Sequence, residues 1–131
     1  MVAFAFLMLS CGGRATKGDT QEPKAYIVID LADTQRVDTL HFGRVRAGEV
    51  VEMALALRNG SSVPIVPLST ETSCGCLEME LPKEPIAAGG AKVVKMIFYS
   101  SGYNYFPPRT FYIKTSAGTE PKRLVVRADM E

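Results

Sequence analysis

Three cysteines, a single histidine and one aromatic loop carry most of the chemistry available to this chain. Cys74 and Cys76 flank one glycine in the stretch Thr72-Ser73-Cys74-Gly75-Cys76-Leu77. Two thiols so close can form a local disulfide, cycle between thiol and disulfide, or hold a soft ion such as Cu(I). Geometry limits the first option. In an extended strand, Cα atoms two residues apart are roughly 7 Å apart, at the edge of what a disulfide bridges. A Cys74–Cys76 bond therefore needs a tight turn, which Gly75 can adopt without a Cβ penalty. So short a loop adds little chain-entropy stabilisation, and a small strained ring is relatively easy to reduce.

The other options ask for more partners. Structural zinc takes four ligands, and His41 stands far from the pair in sequence. The pair lacks the Cys-x-x-Cys spacing and helix N-terminus that activate thioredoxin-like thiols. A structural turn or buried local disulfide leads, with a labile redox disulfide and a soft-metal site as the alternatives. A Cys–His enzyme would need a third group to orient its base, and no such group is visible beside His41. Glu71, Glu78, Glu80 and Glu84 crowd around the motif and read as a solvated acidic rim. No Gly-rich phosphate loop or calcium loop is present. No catalytic residue, metal centre or cofactor is expected.

A second candidate site is the run Tyr103, Tyr105 and Phe106 ahead of Pro107-Pro108. Exposed loop aromatics anchor partners; the competing and favoured reading is that they cap the end of a core.

The N-terminus bears on where this chemistry takes place. MVAFAFLMLSC is an apolar run ending at Ser10-Cys11, too short to span a bilayer as a helix, which takes about 20 residues. It has the length of a signal-peptide apolar region and resembles the end of a bacterial lipoprotein signal, in which the cysteine is lipidated. Residues 1–11 are expected to be that signal segment, with Cys11 lipidated, and residues 12–24 a flexible tether. The protein is then anchored in the outer membrane of the bacterial cell envelope, on its periplasmic side or surface. That placement also leaves Cys74 and Cys76 as an even pair in an oxidising compartment.

The elements that must position these groups are strands. The 131 residues, 47% of them hydrophobic, suffice for one domain with a real core. Fifteen Lys and Arg against fourteen Asp and Glu, scattered along the chain, leave no basic stripe for nucleic acid. Residues 26–31 and 40–45 are short strands, with Gly43 marking a bulge or a close backbone approach. Over 49–59, Val51, Met53, Leu55 and Leu57 alternate with polar or small residues and end at the turn Asn59-Gly60-Ser61-Ser62. Pro64 and Pro67 place 62–70 at a sheet edge. Alternation resumes over 91–100, 109–116 and 122–129, where Leu124 and Val126 turn inward and Arg123 and Arg127 outward. The pattern predicts an immunoglobulin-like antiparallel β-sandwich of seven to eight strands over residues 25–131.

The order of these features resembles a bacterial envelope family, domain of unknown function 1573 (DUF1573). Its marks are Phe42-Gly43, Gly48-Glu49, Asn59, Cys74-Gly75-Cys76 and Gly89-Gly90, spread over residues 37–129. The resemblance implies an immunoglobulin-like fold, related to sperm-protein and pilus-chaperone sandwiches and often borne on secreted or lipid-anchored proteins. It implies no reaction. The expectation is a non-catalytic envelope module that binds a protein or envelope partner, neither nucleic acid nor nucleotide. The alternative is a thiol redox or Cu(I)-binding protein acting through Cys74 and Cys76.

Overall fold

Large apolar residues at every second position make each long segment a strand with one buried face. The computed structural model describes residues 26–131; the signal segment, Cys11 and the tether lie outside the described residues. Eight strands follow in order: β1 (Ile27–Asp30), β2 (Asp38–Val45), β3 (Val50–Arg58), β4 (Pro67–Thr72), β5 (Leu77–Met79), β6 (Ala91–Tyr99), β7 (Arg109–Thr115) and β8 (Lys122–Met130). They form two four-stranded sheets, β1-β3-β6-β5 and β2-β8-β7-β4, and no helix occurs among the described residues. The inward residues of both sheets build one core. Met96 and Phe98 of β6 face Phe111 and Ile113 of β7 and Leu124 and Val126 of β8, all buried. Each such side chain contributes about 1.5–3 kcal/mol on burial.

The all-β two-sheet architecture is the expected one, but its pairing is not wholly antiparallel. β1 runs parallel to β3, and β2 parallel to β8. Parallel neighbours need a crossover, supplied here by the chain stepping between sheets: β2, which separates β1 from β3 in sequence, belongs to the other sheet. Period two fixes which face is buried and says nothing about strand direction. The extra strand β5 is only three residues long, too short to read as alternation.

Gly43 sits in the left-handed region with φ 78°, where β2 shifts register between His41 and Arg44. It is a bulge rather than a close approach, since a Cβ there would meet nothing within 4 Å. Pro67 opens β4 at the sheet edge, where its missing N–H costs no ladder bond.

One end of the sandwich is closed by polar side chains. Asn59 is fully buried, and its Nδ2 donates to the carbonyls of Val63 (2.7 Å) and Ile86 (2.9 Å). Its Oδ1 accepts from the backbone N–H of Ser61 at 2.9 Å. Close by in the fold, Lys122 has a side chain with no exposure at all. Its ammonium donates to the carbonyls of Asp33 (2.8 Å) and Arg36 (2.7 Å) and pairs with Asp38 at 2.9 Å. Three hydrogens meet three acceptors, which is what makes a buried ammonium tolerable.

Candidate functional site

The opposite end of the sandwich holds the cysteines and the aromatic loop. β4 pairs with β7 as far as Thr72 and Phe111, and the Thr72 hydroxyl donates to the Thr110 carbonyl at 2.9 Å. The chain then turns through Ser73-Cys74-Gly75-Cys76 before β5 begins. Within that turn Cys74 and Cys76 form a disulfide, their Cα atoms 5.1 Å apart instead of the extended spacing. Tyr99 N–H holds the exit of the turn through the Cys76 carbonyl at 2.8 Å. Gly75 is outside the left-handed region, and a Cβ on it would meet nothing within 4 Å. The turn therefore does not depend on the freedom of glycine.

Both cysteines are buried, 3% and 5% exposed, and the two sulfurs differ in surroundings. Cys74 Sγ accepts from the Tyr103 hydroxyl at 3.5 Å and from the Cys76 backbone N–H at 3.3 Å. In the bonded state neither sulfur is a thiolate, so a soft ion would require the reduced form. Among the described residues no three His, Cys, Asp or Glu side chains gather as a metal cage.

The aromatic loop divides between core and solvent. A turn at Gly102 (φ 84°) and the Tyr103 N–H to Ser100 carbonyl bond (3.1 Å) fold it back over the core. Ser100 is itself buried, its hydroxyl 2.6 Å from the Glu49 carbonyl. The Phe106 ring packs tilted against Phe98, centroids 4.6 Å apart, and meets Tyr103 edge-on at 5.8 Å. Phe106 is buried and closes the core, Tyr103 is half-buried, and Tyr105 alone of the three stands out, 74% exposed. As a three-residue contact surface the expectation is thus reduced to Tyr105. Arg109 lays its guanidinium 5.8 Å over the Phe106 ring, and its Nε is buried without a hydrogen-bond partner.

Tyr105 borders an open cleft of about 340 Å³ with His41, Arg127 and Asp129. His41 Nδ1 accepts from the Gly43 N–H at 2.8 Å, so the neutral ring carries its proton on Nε2. That atom faces Asp129 at 3.6 Å. Sequence distance hid this grouping, because His41 meets Arg127 only through the register of β2 on β8.

Three of the four carboxylates of the acidic rim have separate partners. Glu71 meets Lys114 at 3.4 Å, Glu84 meets Lys92 at 2.7 Å, and Tyr99 donates to Glu78 at 2.8 Å. The Lys92 hydrogen bond and charge hold Glu84 below the usual carboxylate range. The hydrogen bond from Tyr99 to Glu78 pushes the phenol above its ordinary value.

Fold and site together define a β-sandwich domain capped at one end by a two-residue disulfide turn and an aromatic lid. The chain belongs to the DUF1573 family, described as a protein of unknown function, whose profile matches residues 34–130. Among solved structures, a protein of unknown function from Porphyromonas gingivalis W83 superposes with a TM-score of 0.61 at 17% identity. The match covers 85% of this chain and 51% of that one. The VesB protease of Vibrio cholerae superposes with a TM-score of 0.53 at 14% identity, over 72% of this chain and 30% of that one. The chain thus spans about half the length of the first and under a third of the second, and both likenesses show the fold alone. A search of curated proteins finds no match.

Proposed function

We propose that this chain is a non-catalytic module of the bacterial cell envelope, lipid-anchored in the outer membrane through Cys11, that binds a protein partner through Tyr105 and the adjoining cleft. The observation that carries the reading is the contrast within one loop. Tyr103 and Phe106 are packed into the aromatic cap, while Tyr105 between them is 74% exposed. A large amphipathic ring is thereby presented on a fixed base, and little entropy remains to be lost when a partner covers it. His41, Arg127 and Asp129 line the same cleft and add hydrogen-bonding groups of both signs beside the ring, a polar surround for an aromatic anchor. The apolar run before Cys11 and the polar residues 12–24 support the anchor and the tether.

A photo-crosslinking side chain at position 105, compared with one at Thr119 between β7 and β8, tests the contact in cells. The expected result is an adduct of discrete mass from position 105 alone. Equal labelling at both positions, or none at 105, overturns the contact. Loss of the lipid-bearing mass from the membrane fraction in Cys11→Ser is expected for the anchor, and its retention refutes it.

A further inference from the structure

We propose that the Cys74–Cys76 disulfide is a polarised redox pair, reduced by a dithiol that attacks Cys76 while Cys74 departs as the stabilised thiolate. This activity is separate from partner contact at Tyr105. The polarity comes from the unequal surroundings of the sulfurs. Two donors, the Tyr103 hydroxyl and the Cys76 N–H, converge on Cys74 Sγ at 3.5 and 3.3 Å. Hydrogen bonds to an ionised acceptor are stronger than those to a neutral one. Both therefore gain strength as negative charge builds on Cys74 Sγ, and a leaving sulfur so stabilised departs faster.

Three further observations fit that role. Thr72–Phe111 is the last paired position joining β4 to β7; Cys74 follows Thr72 by two residues in the turn after β4, and Arg109 precedes Phe111 by two at the start of β7. A fixed positive charge thus stands at the same end of the sandwich as the turn, and its Nε has no hydrogen-bond partner. The turn that carries the buried sulfurs is itself open to solvent on one side. Ser73 and Gly75 are exposed, and the position a Cβ would take on Gly75 has no atom within 4 Å. Finally, a bond that spans two residues contributes little to folding through chain entropy. Opening it therefore leaves the two sheets in place.

The step balances with a dithiol as the reductant. One thiolate of the dithiol forms a bond to Cys76 Sγ as the Sγ–Sγ bond breaks, and that bond's electron pair goes to Cys74 Sγ. The second thiolate then displaces Cys76, leaving the reductant as its disulfide. Two electrons pass from the dithiol to the protein; one of the dithiol's two protons ends on Cys76 and the other goes to solvent, Cys74 remaining the thiolate.

Dithiothreitol is the probe, on the folded protein at pH 7. The wild-type disulfide should be reduced without loss of the thermal transition, and the reduced protein should show thiolate absorbance near 240 nm. In Tyr103→Phe, which keeps the ring packing, reduction should slow by roughly three- to tenfold and the thiolate band should weaken. A monothiol followed by alkylation and peptide mapping should leave its adduct on Cys76. A disulfide that resists dithiothreitol until the protein unfolds overturns the proposal. An adduct on Cys74, or an unchanged rate and unchanged thiolate band in Tyr103→Phe, overturns the polarity.

Discussion

The two ends of this sandwich are closed by opposite means. At one, Asn59 and Lys122 are wholly buried, and the polar atoms of their side chains have partners in neighbouring loops. At the other, Phe98, Tyr103 and Phe106 pack ring against ring over a disulfide, and a buried Arg109 N–H is left over. Hydrogen bonds with fixed partners specify one geometry, whereas aromatic packing fills space with weaker directional demands. The difference separates tasks. The polar end is architecture, its buried ammonium and amide all paired. The aromatic end holds the groups still free to act: the exposed ring of Tyr105, the disulfide and the Arg109 donor.

Substitutions at the two ends should expose that division. The largest effect is expected for Lys122→Ala, which strands two carbonyls and one side of Asp38. Urea denaturation should show a loss of about 3–5 kcal/mol. Phe106→Ala removes the lid of the aromatic end and should cost about 3 kcal/mol, with a matching fall in the thermal midpoint. By contrast, replacing both Cys74 and Cys76 with alanine should lower stability by only about 1–2 kcal/mol in the same assay, because the closed loop is so short. A double-alanine variant that fails to fold would make the disulfide as architectural as Lys122. The smallest effect lies at the polar end, in the exposed Glu84–Lys92 pair. Glu84 is held below its ordinary value when folded, so its small contribution is present above the unfolded carboxylate range and is lost as pH falls through the folded value. An NMR titration should find its midpoint depressed in the wild type and back in the ordinary range in Lys92→Ala.

Which of these features could be read from the chain follows from what a one-dimensional pattern encodes. Leu55 and Leu57, Met96 and Phe98, or Phe111 and Ile113 declare their buried face by alternation, and Pro64 and Pro67 declare an edge. Lys122 stands in phase with Leu124 and Val126, so the same period that buries them also buries it. The three acceptors that make this possible come from residues 33–38, and no local rule points to them. The aromatic loop was visible as a cluster, but the choice of Phe106 for the core and Tyr105 for solvent depends on the turn at Gly102 and on the Phe98 ring beneath it. The His41–Asp129 pair and the parallel directions of β1 and β2 arise from strand register across the whole domain. The disulfide turn lies between these cases, because its spacing posed the geometric question and only the fold shows which sulfur the Tyr103 hydroxyl meets.

The Lys122 contacts also bear on the order in which the domain can be assembled. The loop that carries the chain from the first sheet to the second is gripped by a residue 86 and 89 positions further along. A chain made from its N-terminus has this loop long before it has its fastening, and β2 waits for β8, its one sheet neighbour among the described residues. β2, the second strand out, is therefore among the last to be locked. Until the final segment arrives, β2 has no strand of its sheet to pair with, whereas β1 can already lie against β3.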